Sequence, residues 1–157
     1  MNSLDVAHFK EVLGHYATGL VVVSATTSSG PAGFTCQTFG SLSLTPPLVT
    51  FAAGSDGQSW SAMRGSELLG ISVLSSVQEP LARRFATSGI DKFDGTPYEK
   101  GPTGTPLLEG ALAHIEGRVV ARTTHGDHDV VVVEVTHAQS FSGHPLLYFR
   151  GGFTELA

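Results

Sequence analysis

The sequence predicts a mainly β chain folded as a closed or partly closed antiparallel barrel, with a few short helices at its flanks. β-Branched and apolar runs such as LVVVSATT (20–27), LLGISVL (68–74) and VVVVEV (130–135) recur with turn-rich segments between them. These runs do not alternate regularly with helical patterns, which argues against a doubly wound parallel sheet. The 157 residues suit one domain, 1–157, and no internal repeat is visible. Six or seven strands and two or three helices are expected.

Ser3 is placed to cap a first helix. Val6, Phe9, Leu13, Tyr16 and Ala17 follow at helical spacing, and Gly19 can end it. Leu20 to Thr27 reads as a strand, SSGPAG (28–33) as turn material, and a second strand starts near Phe34. A third covers Leu48 to Ala53, after Pro46-Pro47. Gly54 to Gln58 is a loop, and Ser59 caps a short helix through Met63. Leu68 to Leu74 is another strand. Ser76 and Glu79 then have capping-box spacing, with Pro80 in a first turn that tolerates it and LARRFA (81–86) continuing the helix. Residues 88–106, rich in Gly, Pro, Thr and Asp, read as one long loop, a length usually reserved for function or mobility. From Ala111, alternation puts Ile115, Gly117, Val119 and Ala121 on one face and His114, Glu116, Arg118 and Arg122 on a solvent face. His125-Gly126-Asp127 makes a turn. Val130 to Val135 is apolar on both sides and is expected to be buried on both. Pro145 to Phe149 is the last strand.

Composition excludes several classes of function. Charged residues are 15% and apolar residues 41%, so the surface is poor in charge and part of it is expected to lie under another subunit. The net charge is -5 and no basic cluster exceeds Arg83-Arg84, which excludes duplex nucleic acid as a partner. The single cysteine, Cys36, forbids an internal disulfide and a cysteine zinc cluster. MNSLDVAHFK carries acid and lacks the apolar run of a signal peptide. No apolar stretch reaches the ~18 residues of a membrane span. The expected compartment is the cytoplasm, with no membrane partner.

The most unusual segment is TCQTFGSLSLTPPLVTFAA (35–53), which sets six hydroxyl or amide side chains at the mouth of an apolar strand with no charge. A solvated edge strand, a set of turn residues, or a site that bonds an anion without cations would each use such a stretch. Ser and Thr hydroxyls with backbone N–H groups can cradle a phosphate. Ser55, Gln58 and Ser59 form a second polar cluster just before a helix start, which is either ordinary capping or an anion contact. Cys36 has no sequence neighbour that would activate it as a nucleophile. His125-Gly126-Asp127-His128 is a turn, a metal site, or a ligand contact through His128; no metal is assigned to it. Paired carboxylates, a GxGxxG device and a P-loop are all missing, and no catalytic residue is assigned.

Seven segments together resemble one family: FKEVLGHYATGLVVVSA, GFTCQTFGSLSLTPPLV, SVLSSVQEPLARRFA with DKF, GTPLLEGALAHIEGRV, GDHDVVVVEV and PLLYFRGGF, in order along nearly the whole chain. They are similar to the short-chain flavin reductases, FMN-binding split-barrel proteins that supply reduced flavin to two-component monooxygenases. The resemblance implies an antiparallel split barrel, a homodimer, and an NAD(P)H:flavin oxidoreductase using FMN, or FAD, with NADH or NADPH as hydride donor. Its partner would be a flavin-dependent monooxygenase. It implies flavin contacts from Thr35, Cys36 (through its backbone), Gln37, Thr38, Ser41, Ser43, Ser55, Gln58, Ser59, Phe85, Lys92 and Phe93. It implies NAD(P)H contacts from His128, Tyr148 and Arg150. Hydride would pass from nicotinamide to flavin, chemistry that the cofactors carry and for which the protein needs no triad. A flavin carrier without efficient NAD(P)H oxidation, and a split-barrel oxidoreductase acting on another substrate, are the alternatives. The chain departs from the family at Gln37-Thr38, where Asn-Ser is usual, at Gly117, where Cys is common, and at Val133, where Gly is common.

Overall fold

The computed structural model describes residues 4–157. In chain order the elements are α1 (Val6–Leu13), β1 (Thr18–Gly19), β2 (Val21–Thr27), β3 (Gly30–Cys36), β4 (Gly40–Ser43), β5 (Leu48–Gly54), α2 (Gln58–Met63) and β6 (Leu68–Val73). A 3-10 turn (Ser76–Gln78) leads into α3 (Glu79–Phe85), and β7 (Tyr98–Lys100), β8 (Pro106–Leu108), β9 (Ala113–His125), β10 (His128–Ser140), β11 (Leu147–Phe149) and β12 (Gly152–Thr154) follow. Seven strands form one antiparallel sheet in the order β3-β2-β6-β9-β10-β5-β4, while β1-β11-β12 and β7-β8 make two small sheets.

β2 is buried on both faces over its first residues, which explains the apolar run Leu20–Val23. Val21, Val23 and Ala25 face a core with Phe51, Trp60, Ile71, Val131 and Val133. Leu20 and Val22 point the other way, into a second core with Leu74, Phe85, Phe93 and Leu108. A strand buried on both faces has no polar alternation. The register carries the first core across the sheet, with Val23 opposite Ile71 and Ile71 opposite Ile115. Phe34, Phe51 and Trp60 fill it in tilted and edge-to-face contacts, with ring centroids 5.8–6.1 Å apart. Phe51 and Trp60 are fully buried and contribute roughly 1.5–3 kcal/mol each, while Phe34 is half-buried.

The two edges of the sheet, β3 and β4, are consecutive in the chain and are joined only by residues 37–39. They do not pair with each other, so the barrel is split there. Thr38 bridges the gap: its hydroxyl donates to the Ala52 carbonyl at 2.9 Å and accepts the Ala52 N–H at 2.8 Å. One side chain thereby supplies β5 with the two bonds that a neighbouring strand would have made.

Several local expectations are corrected. The helix expected to reach Ala17 ends at Leu13, because Thr18 and Gly19 are drawn into pairing with Tyr148 and Leu147. Asp5 caps it by accepting the Ala7 N–H, and the expected Ser3 cap lies outside the described residues. α2 starts at Gln58 after Gly57, so Ser59 is inside the helix and does not cap it. The capping box is Ser75 with Gln78, one residue before the Ser76–Glu79 reading. The loop expected over 88–106 contains β7 and the start of β8. β4 and β12 were not anticipated; both are short, and β4 is the exposed sheet edge. The last strand is Leu147–Phe149, shorter than expected. In β10, Val131 and Val133 are buried while Val130 and Val132 are only half-buried, so the run is not buried on both faces throughout. At the departure at 117, a Cβ would collide with the Glu134 backbone as well as with Val133 Cγ1, so the close approach of β10 to β9 there requires glycine.

The largest correction concerns β9. His114 (8% exposed) and Glu116 (1% exposed) lie on the face expected to meet solvent, but the β7–β8 arm covers them. Glu116 Oε1 accepts from the Thr103 N–H and from the Thr103 and Thr105 hydroxyls. Gly101 is packed so close over the carboxylate that a Cβ there would strike it. Burial pushes this carboxyl's pKa up, but those hydroxyl and N–H donors push it further down, leaving it below the ordinary glutamate value. A folded pKa below the unfolded one gives stability that is fully present above the unfolded value and is lost as pH falls through the folded value. Thr105→Val keeps the shape and removes one charge-assisted bond. It is expected to destabilise the protein by about 1.5–3 kcal/mol at neutral pH. Urea unfolding from pH 7 to pH 3 should show that deficit shrinking below about pH 4; a deficit independent of pH would assign Thr105 to packing alone.

Candidate functional site

A cavity of about 1050 Å³ opens between α1, β1, the 37–39 bend and the β11–β12 hairpin. Its wall includes Lys10, Thr18, Gln37, Thr38, Phe39 and Tyr148. Each reaches it for a local reason. The split between β3 and β4 bends the chain outward at 37–39. The β1–β11 pairing sets Thr18 opposite Tyr148, and Tyr148 is steadied by edge-to-face contact with Phe153 at 5.2 Å. The Thr18 hydroxyl lies 3.5 Å from Gln37 Oε1, which leaves the Gln37 amide N–H groups free.

A second polar cluster forms beside α2. The Lys92 ammonium donates to Ser59 Oγ at 2.8 Å, the Phe85 carbonyl at 2.9 Å and the Gly33 carbonyl at 3.2 Å. No carboxylate pairs with it among the described residues, and burial lowers its pKa. All three of its donors are spent, so it acts as a fixed positive charge. Ser59 accepts from that charge, so the Ser59 O–H is polarised and left to donate elsewhere. Gln58 Oε1 accepts the Gly89 N–H at 3.0 Å, tying α2 to the same segment. Neighbouring Arg84 is likewise spent on the carbonyls of Asp91, Lys92 and Asp94.

A third group surrounds Asp129, which is 3% exposed. Its carboxylate accepts from Trp60 Nε1 at 2.8 Å, Thr124 Oγ1 at 2.9 Å and Ser55 Oγ at 2.9 Å, and Arg64 Nε lies 3.4 Å away. The Trp60 indole N–H is the main cause, ahead of the hydroxyls and Arg64, of a pKa lowered to about 2. This carboxylate joins the 54–57 loop, α2 and the β9–β10 hairpin. At that hairpin's tip His128 is exposed, with Nδ1 2.7 Å from Asp127 Oδ1.

The sequence-expected residues are therefore divided. Gln37, Thr38 and Tyr148 share the cavity. Thr38's hydroxyl is occupied by Ala52, Thr35's donates to the Ala82 carbonyl at 2.7 Å, and Ser55's goes to Asp129. Cys36 is buried, with Sγ 3.1 Å from Thr38 Oγ1, and burial raises its thiol pKa, which is the opposite of activation. Ser41 is exposed and Ser43 half-buried on the edge strand β4. Phe85 and Phe93 are core residues packed edge to face at 4.9 Å, so their rings do not meet a surface ligand; Phe85 touches the polar cluster through the carbonyl that seats Lys92. Arg150 is exposed in the β11–β12 turn. Among the described residues no group of three or more His, Cys, Asp or Glu side chains is arranged to hold a metal ion.

Asp129, Thr18 and Lys10 were missed by sequence reading. Asp129 had a signal: an acid opening a valine run in a chain with one tryptophan, whose indole N–H needs an acceptor when buried. Thr18 and Lys10 had none, since only the β1–β11 pairing brings them to the cavity.

The model of the flavin reductase like domain family matches residues 13–157. The chain is 35% identical, over 98% of its length and 80% of the other's, to the reductase subunit HsaB of a flavin-dependent monooxygenase from Rhodococcus jostii. It is 38% identical, over 92% of its length and 83% of the other's, to the FMN reductase (NADH) SmoA of Agrobacterium fabrum. The solved structure of the Streptomyces globisporus NADH:FAD oxidoreductase SgcE6, in complex with NAD and FAD fragments, superposes with a TM-score of 0.92 at 32% identity, covering 100% of this chain and 98% of that one.

Asp129 yields a prediction. Its folded pKa lies below the unfolded value near 3.9, so its contribution is complete above that value and is lost as pH falls toward 2. Asp129→Ala is expected to lower the unfolding temperature at pH 7. Calorimetry at pH 7 and pH 2.5 should show the two proteins converging at the lower pH; convergence failing to appear would mean that the carboxylate charge contributes nothing.

Proposed function

The chain belongs to the flavin reductase like domain family, and from that membership we infer that it is an NADH-dependent flavin reductase supplying reduced flavin to a monooxygenase. FMN or FAD is the acceptor. When bound, the flavin takes the hydride that the nicotinamide gives up. The observation that carries the site assignment is the single cavity of about 1050 Å³ in which Gln37, from the flavin segment, faces Tyr148, from the nicotinamide segment. That volume is at the upper end of what one small-molecule site uses and suits two stacked rings.

In this reading Gln37 offers its free amide N–H groups, and the backbone of 36–38 its donors, to the edge of the flavin ring. Ser41 and Ser43 on β4 bond the flavin phosphate. Ser59 donates its polarised O–H to an anion under the charge of Lys92, with Gln58 and Ser55 fixing the loop. Thr35, Thr38 and Cys36 hold the segment in shape. Tyr148, Arg150 and His128 orient the pyridine nucleotide, and none of them transfers a proton. Holding two reactants in one geometry is the main contribution such a protein makes.

Steady-state NADH oxidation with added FMN, FAD and riboflavin tests the reading, and flavin binding without NADH oxidation would replace it with a carrier. His128→Ala is expected to raise KM for NADH several-fold and leave FMN affinity unchanged, as loss of a binding contact should. Ser41→Ala with Ser43→Ala is expected to weaken FMN by about 1.5–3 kcal/mol per lost bond to phosphate while sparing riboflavin. Equal losses for both flavins would move the pair to the ring.

The protein is further proposed to be a homodimer in the cytoplasm. α1 buries none of its residues, and Val6, Phe9, Val12, Leu13 and Tyr16 (78% exposed) are all open beside the cavity. A second copy covering that face would complete the site wall. Analytical ultracentrifugation is expected to give a dimer, and a monomer that still binds flavin would overturn this.

A further inference from the structure

Lys10 is the one charged residue in the wall of the large cavity. It lies in the last turn of α1 and is exposed. Among the described residues no carboxylate pairs with it, because Glu11 lies beside His8 and His15 and Asp5 is spent on the helix cap. The rest of the wall is hydroxyl, amide, phenol and apolar surface. The carbonyls at the end of α1 already have donors: those of Lys10, Val12, Leu13 and Gly14 accept from the backbone of Gly14, His15, Tyr16 and Arg150. The last of these bonds, 2.8 Å long, fixes the turn in which Arg150 holds φ 51, in the left-handed region, next to Gly151 at φ 78. A second cation thus sits at the same rim. A concave wall whose one charged residue is a cation, with no carboxylate, carries positive potential and favours an anion.

The reaction brings two anionic groups to the protein, the flavin phosphate and the phosphates of the hydride donor. The residues suited to the first, Ser41, Ser43, Ser59 and Lys92, lie on β4, α2 and the segment before β7, and none of them lines this cavity. Tyr148 does line it, across from Lys10. We propose that Lys10 is a specificity-determining residue that binds the pyrophosphate of the dinucleotide donor at the α1 rim. The inference rests on the flavin reductase reading. It makes the donor's affinity, and not the flavin's, depend on an ion pair across this rim.

The test uses Lys10→Ala and Lys10→Arg in the full chain. Substrates are NADH and reduced nicotinamide riboside, which carries no phosphate, each with FMN or riboflavin as acceptor. Lys10→Ala is expected to raise KM for NADH about tenfold with kcat within about twofold, the pattern of lost ground-state binding. KM for the riboside should not move, FMN and riboflavin affinities should not move, and Lys10→Arg should restore the NADH value. Raising salt should weaken NADH more for wild type than for Lys10→Ala. The proposal is overturned if Lys10→Ala leaves KM for NADH unchanged, if both donors shift equally, or if FMN weakens while riboflavin does not. Calorimetric titration of NAD+ into both proteins reads the contact without turnover. Wild type that oxidises no NADH would remove the reductase reading, and equal NAD+ affinities would remove Lys10 by itself.

Discussion

The structure depends on one closure. The sheet's two free edges are consecutive segments of chain, and three residues between them cannot form another strand. Thr38 satisfies both backbone groups of Ala52 in place of that strand, and the barrel stays split where the chain bends around it. An unpaired N–H and C=O at this position would carry the full desolvation cost of two backbone groups. The bend that results is the wall of the large cavity. Closure and site are therefore consequences of the same few residues.

This answers the oddity of a hydroxyl-rich, charge-free segment. Half of its hydroxyls, and those of Ser55 and Ser59, are already engaged within the protein. Thr35 ties β3 to α3, Thr38 ties the bend to β5, Ser55 ties a loop to Asp129, and Ser59 receives Lys92. A hydroxyl both donates and accepts, so a residue with one role internally can keep the other for a ligand. Ser59 does that, and its oxygen faces a cation that has no carboxylate to neutralise it. The protein supplies shape, donors and a positive rim, while the reacting groups belong to the cofactors.

Two buried carboxylates anchor the parts that surround this region. Asp129 holds the loop before α2 to the β9–β10 hairpin, and Glu116 holds the β7–β8 arm against β9. Both are kept ionised by neutral donors, hydroxyls and an indole, more than by cations. The same economy of charge appears at Lys92 and Arg84, which rest on carbonyls. It accounts for a chain with only 15% charged residues that still buries several of them.

The sequence by itself determined the β class and the approximate position of the long strands, because hydrophobic periodicity is local and is read directly from neighbours along the chain. Its motifs also identified the family, since their order along the chain is itself a linear property. What it did not determine was burial on β9, where His114 and Glu116 alternate like solvent residues but are covered by an arm formed from a segment that looks like loop. Nor did it determine the cavity. Lys10, Gln37 and Tyr148 are separated by most of the chain and are brought together by the β1–β11 pairing, the Arg150–Gly14 backbone bond at the end of α1 and the split at Thr38. Those contacts depend on which distant backbone groups remain unpaired after the main sheet has formed, and that is decided in three dimensions.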